Sequence, residues 1–271
     1  MSLFAAGLFE GQAVIVTGGG TGIGRAVAEE TGRLGARVAI CGRRQEKLDA
    51  AREELASLGI EVLARRCDVR DEAQADEFVA AALGAFGRID ALVNNAGGQF
   101  PTMAEQLTPK GFEAVVRNNL FGTWIMTRAV AQQAFIKQKG GRIVNVTAQI
   151  ARGFPGMVHT GAARAGVENL TRSLAVEWAQ HGVRVNAVAP GIIRTSGTAQ
   201  YPPELLELGR QATPLKRLGR TDEVSHLIVY LASTAADFVT GQTFAIDGGQ
   251  SLWGDLFTIA DGIPGSEPPP K

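Results

Sequence analysis

Short apolar runs alternate along the chain with longer segments in which apolar residues recur at helical spacing. Most of the runs are continuously apolar, which is typical of strands covered on both faces of a parallel sheet. The predicted strands cover residues 13–16, 37–41, 61–66, 91–94, 142–146, 184–188 and 243–246. The predicted helices cover residues 25–34, 45–58, 73–86, 112–137 and 161–180. With right-handed crossovers, this order predicts an α/β fold with a Rossmann-type, doubly wound parallel sheet of about seven strands and helices on both faces.

The alternation continues from residue 14 to residue 246, which predicts a single domain over residues 11–250. Residues 1–10 are interpreted as an N-terminal extension, and residues 251–271 as a tail that is either disordered or part of a subunit contact. Residues 195–218 are polar, contain prolines and follow the carboxyl end of a strand, where open α/β sheets bind ligands. We therefore expect a lid over the substrate there, with a long surface loop as the alternative.

Charge and cysteine content narrow the range of partners. The 271 residues include 27 basic and 27 acidic ones, so no overall field attracts nucleic acid or an anionic membrane. Cys41 and Cys67 each end a predicted strand outside any metal-ligand cluster, and we expect them to be buried and reduced. The sequence starts without a signal-peptide pattern, has no apolar run of spanning length and ends without a peroxisomal address. These features predict a cytoplasmic protein that binds neither a metal nor nucleic acid nor a membrane.

A glycine-rich turn, Thr17-Gly-Gly-Gly-Thr-Gly-Ile-Gly24, joins the first predicted strand to the first predicted helix. Gly18, Gly22 and Gly24 allow the chain to turn sharply, to approach a pyrophosphate and to pack against the sheet. The amides at the helix start then face the negative charge of the ligand. The turn therefore predicts a dinucleotide site.

Two arginines follow the second predicted strand, where an acidic residue would accept a ribose hydroxyl of NAD. Arg43 and Arg44 offer guanidinium groups that suit a phosphate instead. The sequence therefore favours NADP over NAD, and two solvated arginines at a strand end are the alternative interpretation.

Further residues at the same sheet edge, or on the helix beside it, are Asp68-Val69, Asn94-Asn-Ala-Gly97, Asn119 and Pro190-Gly191. With the glycine turn, they resemble the short-chain dehydrogenase/reductase family from near residue 10 to near residue 250. The resemblance implies contacts to the pyrophosphate from Gly18, Gly22, Ile23 and Gly24, to the ribose phosphate from Arg43, and to the adenine from Asp68 and Val69. It also implies contacts to the adenosine ribose region from Asn95, Ala96 and Gly97, and to the nicotinamide from Pro190, Gly191 and Ile193. Thr21, Arg44 and Thr195 are also expected to bind the cofactor. For Asn94 or Asn95, the alternative to cofactor binding is a purely structural role in a turn that ties adjacent strands.

The catalytic residues of that family are mostly replaced in this chain. Family members generally use a Ser, a Tyr and a Lys, the last two spaced Tyr-x-x-x-Lys, with an Asn one helix earlier. The Asn is retained as Asn119, whereas the resemblance places Thr160 in the Tyr position and Arg164 in the Lys position. The Ser position falls on Ala148 or, with a shift of one residue, on Thr147. Arg164, about one helical turn from Thr160, can still hold the nicotinamide ribose.

These substitutions change the chemistry that the helix can support. Reduction of a ketone requires a proton donor for the alkoxide, and a threonine hydroxyl cannot be tuned into an acid near neutral pH. Reduction of a double bond conjugated to a thioester instead gathers negative charge on the thioester oxygen, where a hydrogen-bond donor is what matters. Thr160 offers such a donor, so these residues favour enoyl thioester reduction over ordinary carbonyl reduction.

A narrower resemblance leads to the same reaction. The segment Gly153-Phe-Pro-Gly-Met-Val-His-Thr-Gly-Ala-Ala-Arg-Ala-Gly-Val167 resembles the peroxisomal trans-2-enoyl-CoA reductases, which carry a hydroxyl residue and an Arg in the same positions. The resemblance implies NADPH-dependent reduction of the C2=C3 double bond of a small-molecule enoyl thioester. The alternatives are a 2,4-dienoyl-CoA reductase, a carbonyl or alcohol oxidoreductase with a rebuilt proton relay, and a catalytically silent NADP-binding subunit.

The proton donor and the substrate contacts have several candidates. His159 can relay a proton or bind the acyl carbonyl, and a helix-start histidine satisfied by the backbone is the alternative. Thr147 and Gln149 are expected near the substrate, with Gln149 as a further donor. Tyr201 in the expected lid can close over the substrate or lie on the surface, whereas Tyr230 lies on an apolar helix face and is expected in the core.

The helices at 112–137 and 161–180 carry enough apolar surface to pack against a second copy of the chain. We therefore expect a homo-oligomer, and the family resemblance implies a homotetramer.

Overall fold

The structure is a computed structural model that describes residues 3–198 and 203–252. Its strands are β1 (Ala13–Thr17), β2 (Arg37–Gly42), β3 (Val62–Arg66), β4 (Ala91–Asn94), β5 (Gly141–Val146), β6 (Val183–Pro190) and β7 (Thr243–Ile246). They form one sheet of seven strands in the order β3-β2-β1-β4-β5-β6-β7, and every pair of neighbours is parallel. The direction of winding reverses between β1 and β4, so the carboxyl ends of these two strands flank the crevice where such sheets bind ligands.

The helices of the described residues connect these strands. They are α1 (Gly22–Arg33), α2 (Gln45–Ser57), α3 (Glu72–Phe86), α4 (Pro109–Val116), α5 (Gly122–Val130), α6 (Ile136–Gln138), α7 (Val158–Glu177), α8 (Pro203–Ala212) and α9 (Thr221–Ala232). The predicted α/β fold with a doubly wound parallel sheet is confirmed, and each predicted strand and helix is present with its ends shifted by a few residues.

Two apolar cores cover the two faces of the sheet, and β1 contributes to both. Val14 and Val16 pack with α1, α2 and α9 on one face, whereas Ala13 and Ile15 pack with α3, α5 and α7 on the other. Every residue of β1 is buried. Alternate side chains of one strand point to opposite faces, so a strand buried on both sides reads as a continuous apolar run.

Local signals define several helix ends. The Asp71 side chain accepts a hydrogen bond from Gln74 N at the start of α3, and Gly87 ends that helix with a φ of 74°. The Thr108 side chain caps α4, whose first residue is Pro109. A short polar side chain before a helix and a left-handed glycine after it satisfy backbone groups that the helix itself leaves unpaired.

The region predicted as one helix at 112–137 is a continuous helical segment with two π-helical turns. These turns cover Arg117–Phe121 and Ala131–Phe135 and separate α4, α5 and α6. In the first of them, the Asn119 side chain donates to Val115 O, and the Thr123 hydroxyl donates to Asn119 O. Such turns are frequent at functional sites because they shift a side chain out of the regular helical register.

Residues 195–218, expected as a lid, contain helix α8 where the structure describes them. The isolated bridge between Ile193 and Gly219 closes the segment at its base. Tyr201, predicted to contact the substrate, lies outside the described residues, as does the tail from residue 253 onward. At the other end of the chain, Phe9 is fully buried in the core, so packing of the sheet domain begins within the N-terminal extension.

Among residues 3–198 and 203–252, no helix is both long and apolar enough to cross a membrane. The same residues contain no group of three or more His, Cys, Asp or Glu side chains that could hold a metal ion.

Candidate active site

The glycine turn between β1 and α1 adopts the conformations that its sequence predicts. Gly18 and Gly22 have φ values of 66° and 57°, in the left-handed region that favours glycine. A methyl group on Gly24 would lie 2.5 Å from both Gly18 O and Asn95 Nδ2, so only glycine fits there. Thr21 precedes α1 without capping it by its side chain. The first amides of α1 are therefore available to an anionic ligand.

A groove of about 580 Å³ lies at the carboxyl ends of the strands, over the glycine turn. Twelve of the predicted cofactor-binding residues line it, namely Gly18, Thr21, Gly22, Ile23, Arg43, Arg44, Asp68, Val69, Asn95, Ala96, Gly97 and Thr195. Lining residues that sequence reasoning missed include Lys47, Asn118, Ser196 and Gly197. The lining combines the glycine turn, the end of β2 and the end of β4, as a dinucleotide site in this fold requires.

One end of the groove is basic. Arg43 and Arg44 are exposed, and the side chain of neither makes a hydrogen bond or salt bridge with another described residue. Lys47, in the first turn of α2, adds a third exposed cation. Lys47 lies four residues after Arg43 and three residues after Arg44, at the start of a predicted helix. This spacing is the sequence signal that could have identified it as a neighbour of the two arginines. Three exposed cations that form no salt bridge with a described residue are suited to a phosphate group.

Asp68 is paired with an arginine instead of being free to meet the cofactor. Arg70 donates to both carboxylate oxygens, from Nε at 2.9 and 3.2 Å and from Nη2 at 2.5 Å. The Arg70 side chain, with its backbone amide and the nearby Arg43, holds the pKa of the Asp68 carboxyl below its usual value. Asp68 still lines the groove, so its carboxylate is a fixed negative charge there.

Thr17 and Asn95 tie β1 to β4 beneath the groove. The Thr17 hydroxyl accepts hydrogen bonds from the amides of Asn95 and Ala96, both at 2.9 Å. The Asn95 side chain donates to Thr17 O at 3.0 Å and Gly18 O at 3.3 Å. Asn94, by contrast, is buried and bonded to Thr127 and Asn145 within the protein. The side-chain amide of Asn95 therefore braces the glycine turn, and sequence reasoning missed Thr17 as its partner.

Asn119 clamps the backbone after β4. Its side chain accepts from Gly98 N at 3.2 Å and donates to Gly98 O at 2.8 Å. The residue is fully buried, and its amide nitrogen also donates to Val115 O. The backbone at Gly97 and Gly98 is thereby fixed against the first π-helical turn.

Thr160 and His159 begin α7 and are both fully buried. The Thr160 amide donates to His159 Nδ1 at 2.8 Å, and the Thr160 hydroxyl oxygen lies 3.2 Å from the same nitrogen. Because Nδ1 accepts, the neutral ring carries its proton on Nε2. That nitrogen is buried without a partner among the described residues, and the ring packs edge-on against Phe100 with centroids 4.7 Å apart.

Arg164 lies one turn beyond Thr160, and its guanidinium is buried against the inner end of the groove. Nη1 donates to Val146 O at 2.8 Å, whereas Nε has no partner. A methyl group on Gly97 would lie 2.5 Å from Arg164 Nη2 and 2.6 Å from Asn119 Oδ1. Burial lowers the pKa of Arg164 to about 10, so the side chain remains protonated at neutral pH.

Two residues predicted near the substrate are held by hydrogen bonds to β6 and to neighbouring loops. The Thr147 hydroxyl donates to Val188 O at 3.1 Å. The Gln149 side chain donates to the Asp247 carboxylate at 3.2 Å and accepts from Ala151 N at 2.8 Å. Gln149 therefore ties the loop after β5 to the loop after β7.

Three further predicted cofactor-binding residues are not part of the groove lining. Pro190 ends β6, and Gly191 and Ile193 line a separate cavity of about 180 Å³ next to Asp247. Thr195, in the groove lining, is held by four hydrogen-bond contacts with Thr198.

Tyr230 lies on α9 and packs against the core, as predicted. Apart from Tyr201, which the structure does not describe, it is the only tyrosine in the sequence. No described phenol therefore lies on α7.

Comparison with known proteins agrees with this architecture. Residues 18–251 match a family model described as enoyl-(acyl carrier protein) reductase. A probable 2,4-dienoyl-CoA reductase of Bacillus subtilis is 40% identical over 90% of this chain and 98% of that protein. A peroxisomal 2,4-dienoyl-CoA reductase of Arabidopsis thaliana is 36% identical over 93% of this chain and 88% of that protein.

Among solved structures, a citronellol catabolism dehydrogenase of Pseudomonas aeruginosa superimposes with a TM-score of 0.84. It is 47% identical, and the match covers 93% of this chain and 99% of that one. The family model, the identities over most of the chain and the shared fold lead to one conclusion. The chain is an oxidoreductase that belongs to the short-chain dehydrogenase/reductase family.

Proposed function

We propose that this enzyme uses NADPH to reduce the C2=C3 double bond of an enoyl thioester. The main support for the proposal is a pair of buried residues on α7. Thr160 and Arg164 lie one turn apart, and no described phenol lies on that helix. A hydroxyl and a permanent cation can stabilise a negatively charged oxygen, but neither is an acid for an alkoxide near neutral pH.

NADP fits the groove better than NAD. The uncapped start of α1 and the left-handed glycines suit a pyrophosphate. Arg43, Arg44 and Lys47 suit the additional ribose phosphate of NADP, and no acidic residue stands at the end of β2 to accept a ribose hydroxyl. When bound, NADPH supplies the hydride.

The protein contributes positioning and charge stabilisation. Asn119 acts as a positioning residue, since it fixes the backbone of Gly97 and Gly98 at the inner end of the groove. Arg164 would hold the nicotinamide ribose at that end when the cofactor binds. The Thr160 hydroxyl rotates from its long contact with His159 Nδ1 to donate to the thioester oxygen as negative charge develops on it. Water or a nearby side chain then protonates the α-carbon.

The test is turnover of purified enzyme with NADPH and a trans-2-enoyl-CoA, followed by mass analysis of the product. We expect loss of NADPH absorbance and a thioester two mass units heavier, with NADH a poorer donor. Reduction of a 3-oxoacyl thioester with no reduction of the enoyl compound would overturn the proposal. Tight binding of NADPH without turnover of any acyl thioester would favour a catalytically silent subunit.

A 2,4-dienoyl-CoA reductase is the second candidate, because two similar proteins carry that name. The same enolate-stabilising site serves that reaction, since charge from hydride addition at C5 also reaches the thioester oxygen. Product analysis separates the two. A 2,4-dienoyl thioester reduced faster than a 2-enoyl one, and to a product that keeps one double bond, would favour this candidate.

A carbonyl or alcohol oxidoreductase with a rebuilt proton relay is the third candidate, supported by the similarity to the citronellol catabolism dehydrogenase. In this chain the relay would have to use His159, Thr160 or Tyr201. Turnover of small ketones or alcohols at a rate above that with enoyl thioesters would select it.

We also propose that the enzyme works as a homotetramer in the cytoplasm. Large apolar side chains are exposed on the helical segment from α4 to α5 and on α7, including Phe121, Trp124 and Val176. Val176 is 80% exposed, which suits a position at a subunit contact.

A further inference from the structure

Arg164 is a buried cation for which residues 3–198 and 203–252 supply no counter-charge. Only 7% of the residue is exposed, and no acidic side chain among the described residues forms a salt bridge with it. Within the described part of the chain, the guanidinium donates to a neutral carbonyl, Val146 O, and its Nε is buried without an acceptor. Burial alone accounts for its lowered pKa, with no contribution from a charged neighbour. A buried charge of this kind acts on its surroundings with little screening.

The position of this charge is fixed relative to the groove. Nη2 packs against Gly97, which lines the inner wall of the groove at the end of β4. The three exposed cations Arg43, Arg44 and Lys47 lie at the other end. If the ribose phosphate lies at the exposed basic end, the nicotinamide lies at the end that Arg164 adjoins.

We propose that Arg164 makes the site select the reduced cofactor over the oxidised one. The nicotinamide ring is neutral in NADPH and carries a positive charge in NADP⁺, so an adjacent unpaired cation repels only the oxidised form. The inference rests on the proposed NADP site and adds a cofactor redox preference to it. The enzyme is then loaded with NADPH and releases NADP⁺ readily after each turnover.

Coulomb's law sets the scale of the effect. Two unit charges about 6 Å apart in an effective dielectric of about 20 repel by an energy that corresponds to roughly 100-fold in binding. Solvent and the phosphates of the cofactor weaken this repulsion. We therefore expect the wild-type enzyme to bind NADPH about tenfold more tightly than NADP⁺.

The experiment measures dissociation constants of NADPH, NADP⁺ and 2′,5′-ADP for wild type, Arg164→Met, Arg164→Gln, Arg164→Lys and Arg172→Met. The ratio of the NADP⁺ constant to the NADPH constant is expected to fall about tenfold in the two neutral variants at position 164. It stays within about threefold of wild type in Arg164→Lys, which keeps the charge. Arg172, exposed on the same helix, is the matched control and leaves the ratio unchanged.

Binding of 2′,5′-ADP, which lacks the nicotinamide, reports on the groove alone and should be the same in all five proteins. Removing a buried unpaired cation is not expected to reduce stability, and thermal melts verify that each variant is folded. Equal affinity of the wild type for NADPH and NADP⁺, or an unchanged ratio in both neutral variants, overturns the inference while leaving the NADP site in place. Failure of the wild type to bind NADPH and 2′,5′-ADP overturns the proposed site and this inference together.

Discussion

Thr160 and Arg164 differ in their contacts, and this difference defines the role that we propose for each. Arg164 Nη2 lies against Gly97 in the wall of the groove and its Nε is buried without a partner, whereas the Thr160 hydroxyl oxygen lies 3.2 Å from His159 Nδ1. A hydroxyl in so long a contact can turn toward a charged oxygen without breaking a strong hydrogen bond. We therefore propose oxyanion stabilisation by Thr160 and cofactor binding by Arg164.

Replacement of Thr160 by Val tests this assignment, because Val has nearly the same shape and lacks the hydroxyl. We expect kcat for enoyl thioester reduction to fall by about 100-fold, the typical effect of removing one oxyanion donor. Thr160→Ser, which keeps the hydroxyl, should retain activity within about tenfold. Steady-state kinetics with both variants are the measurement, and equal activity of the Val and Ser variants would contradict the assignment.

The basic end of the groove makes a separate prediction about cofactor choice. The double variant Arg43→Ala with Arg44→Ala should bind NADPH about 10- to 100-fold more weakly, because charge-assisted hydrogen bonds are worth about 1.5–3 kcal/mol. Binding of NADH, which has no ribose phosphate, should change little. Arg52→Ala, an exposed arginine further along α2, is the matched control. Equal weakening of NADPH and NADH in a titration would argue against a phosphate contact.

The Asp68 and Arg70 pair predicts a pH dependence of stability. The pKa of Asp68 is lowered from 3.8 in the folded protein, so its ionised form stabilises the fold above that pH. The contribution is lost as the pH falls through the folded pKa. Urea unfolding should therefore show a difference between wild type and Asp68→Asn that is constant from about pH 8 to pH 5 and shrinks below about pH 4. A difference that grows toward acid pH would contradict this prediction.

Sequence spacing predicted which residues share a helix, but not what each side chain contacts. Thr160 and Arg164 were predicted one turn apart and are found so. The partners of Asn119 and Gln149 were not predicted. Gly98 comes close to Asn119, and Asp247 to Gln149, only when the chain is folded. Contacts between positions far apart in sequence depend on the tertiary structure, which local pattern does not encode.

At the scale of single elements, the glycine turn has the tightest steric requirement. Gly24 lies where a methyl group would press on Gly18 O and Asn95 Nδ2 at 2.5 Å, and a backbone oxygen cannot move aside without shifting the turn. Gly84, in the exposed interior of α3, has nothing within 4 Å of its added methyl position. Close contacts therefore require glycine at position 24, whereas no contact requires it at position 84.

Alanine substitution at these two positions should have opposite effects. Gly24→Ala is expected to lower the free energy of unfolding by about 1–3 kcal/mol and to weaken NADPH binding, because overpacking displaces the turn. Gly84→Ala is expected to stabilise the protein by about 0.4–1 kcal/mol, since alanine loses less entropy in a helix. Denaturant unfolding of both variants is the measurement. A neutral effect at position 24 would mean that the turn is looser than its contacts indicate.

The π-helical turn at Arg117–Phe121 is an element that the sequence did not predict. Apolar periodicity over residues 112–137 predicted one continuous helix, and the helical segment is continuous. The first π turn contains one residue more than a regular helical turn. Within it, the Asn119 side chain donates hydrogen bonds to Val115 O and to Gly98 O. One polar side chain that binds another loop does not change the periodicity of the apolar residues, so this periodicity could not predict the π turn.

At the scale of the whole molecule, the pattern of short apolar runs was sufficient to predict the sheet. Strands buried on both faces must be continuously apolar, and right-handed crossovers leave few alternative strand orders. Helix α8 was not predicted, because prolines and turn residues in 195–218 led to the interpretation of a loop although its leucines alternate with charged residues at helical spacing. Hydrogen bonds from Leu215 N to Gly248 O and from Arg194 N to Gly219 O fix the two ends of this segment.

Exposed apolar residues on α5 and α7 lead to a prediction about assembly. Light scattering after size exclusion should give about four times the 28.5 kDa mass of one chain. Trp124→Glu combined with Val176→Glu should shift the enzyme toward smaller species, because charge is depleted at the cores of subunit interfaces. Leu58→Glu, at a 40% exposed leucine after α2, is the control and should leave the mass unchanged. A wild-type monomer at working concentration would refute this prediction.

The most direct test of the central claim compares two substrates of equal chain length in one enzyme. The ratio of kcat/KM for a trans-2-enoyl-CoA to that for the matching 3-oxoacyl-CoA, both with NADPH, measures whether the site favours an enolate over an alkoxide. We predict a ratio of at least about 100, because the Thr160 hydroxyl can stabilise an enolate oxygen whereas α7 carries no phenol to protonate an alkoxide. A ratio near or below one would contradict it.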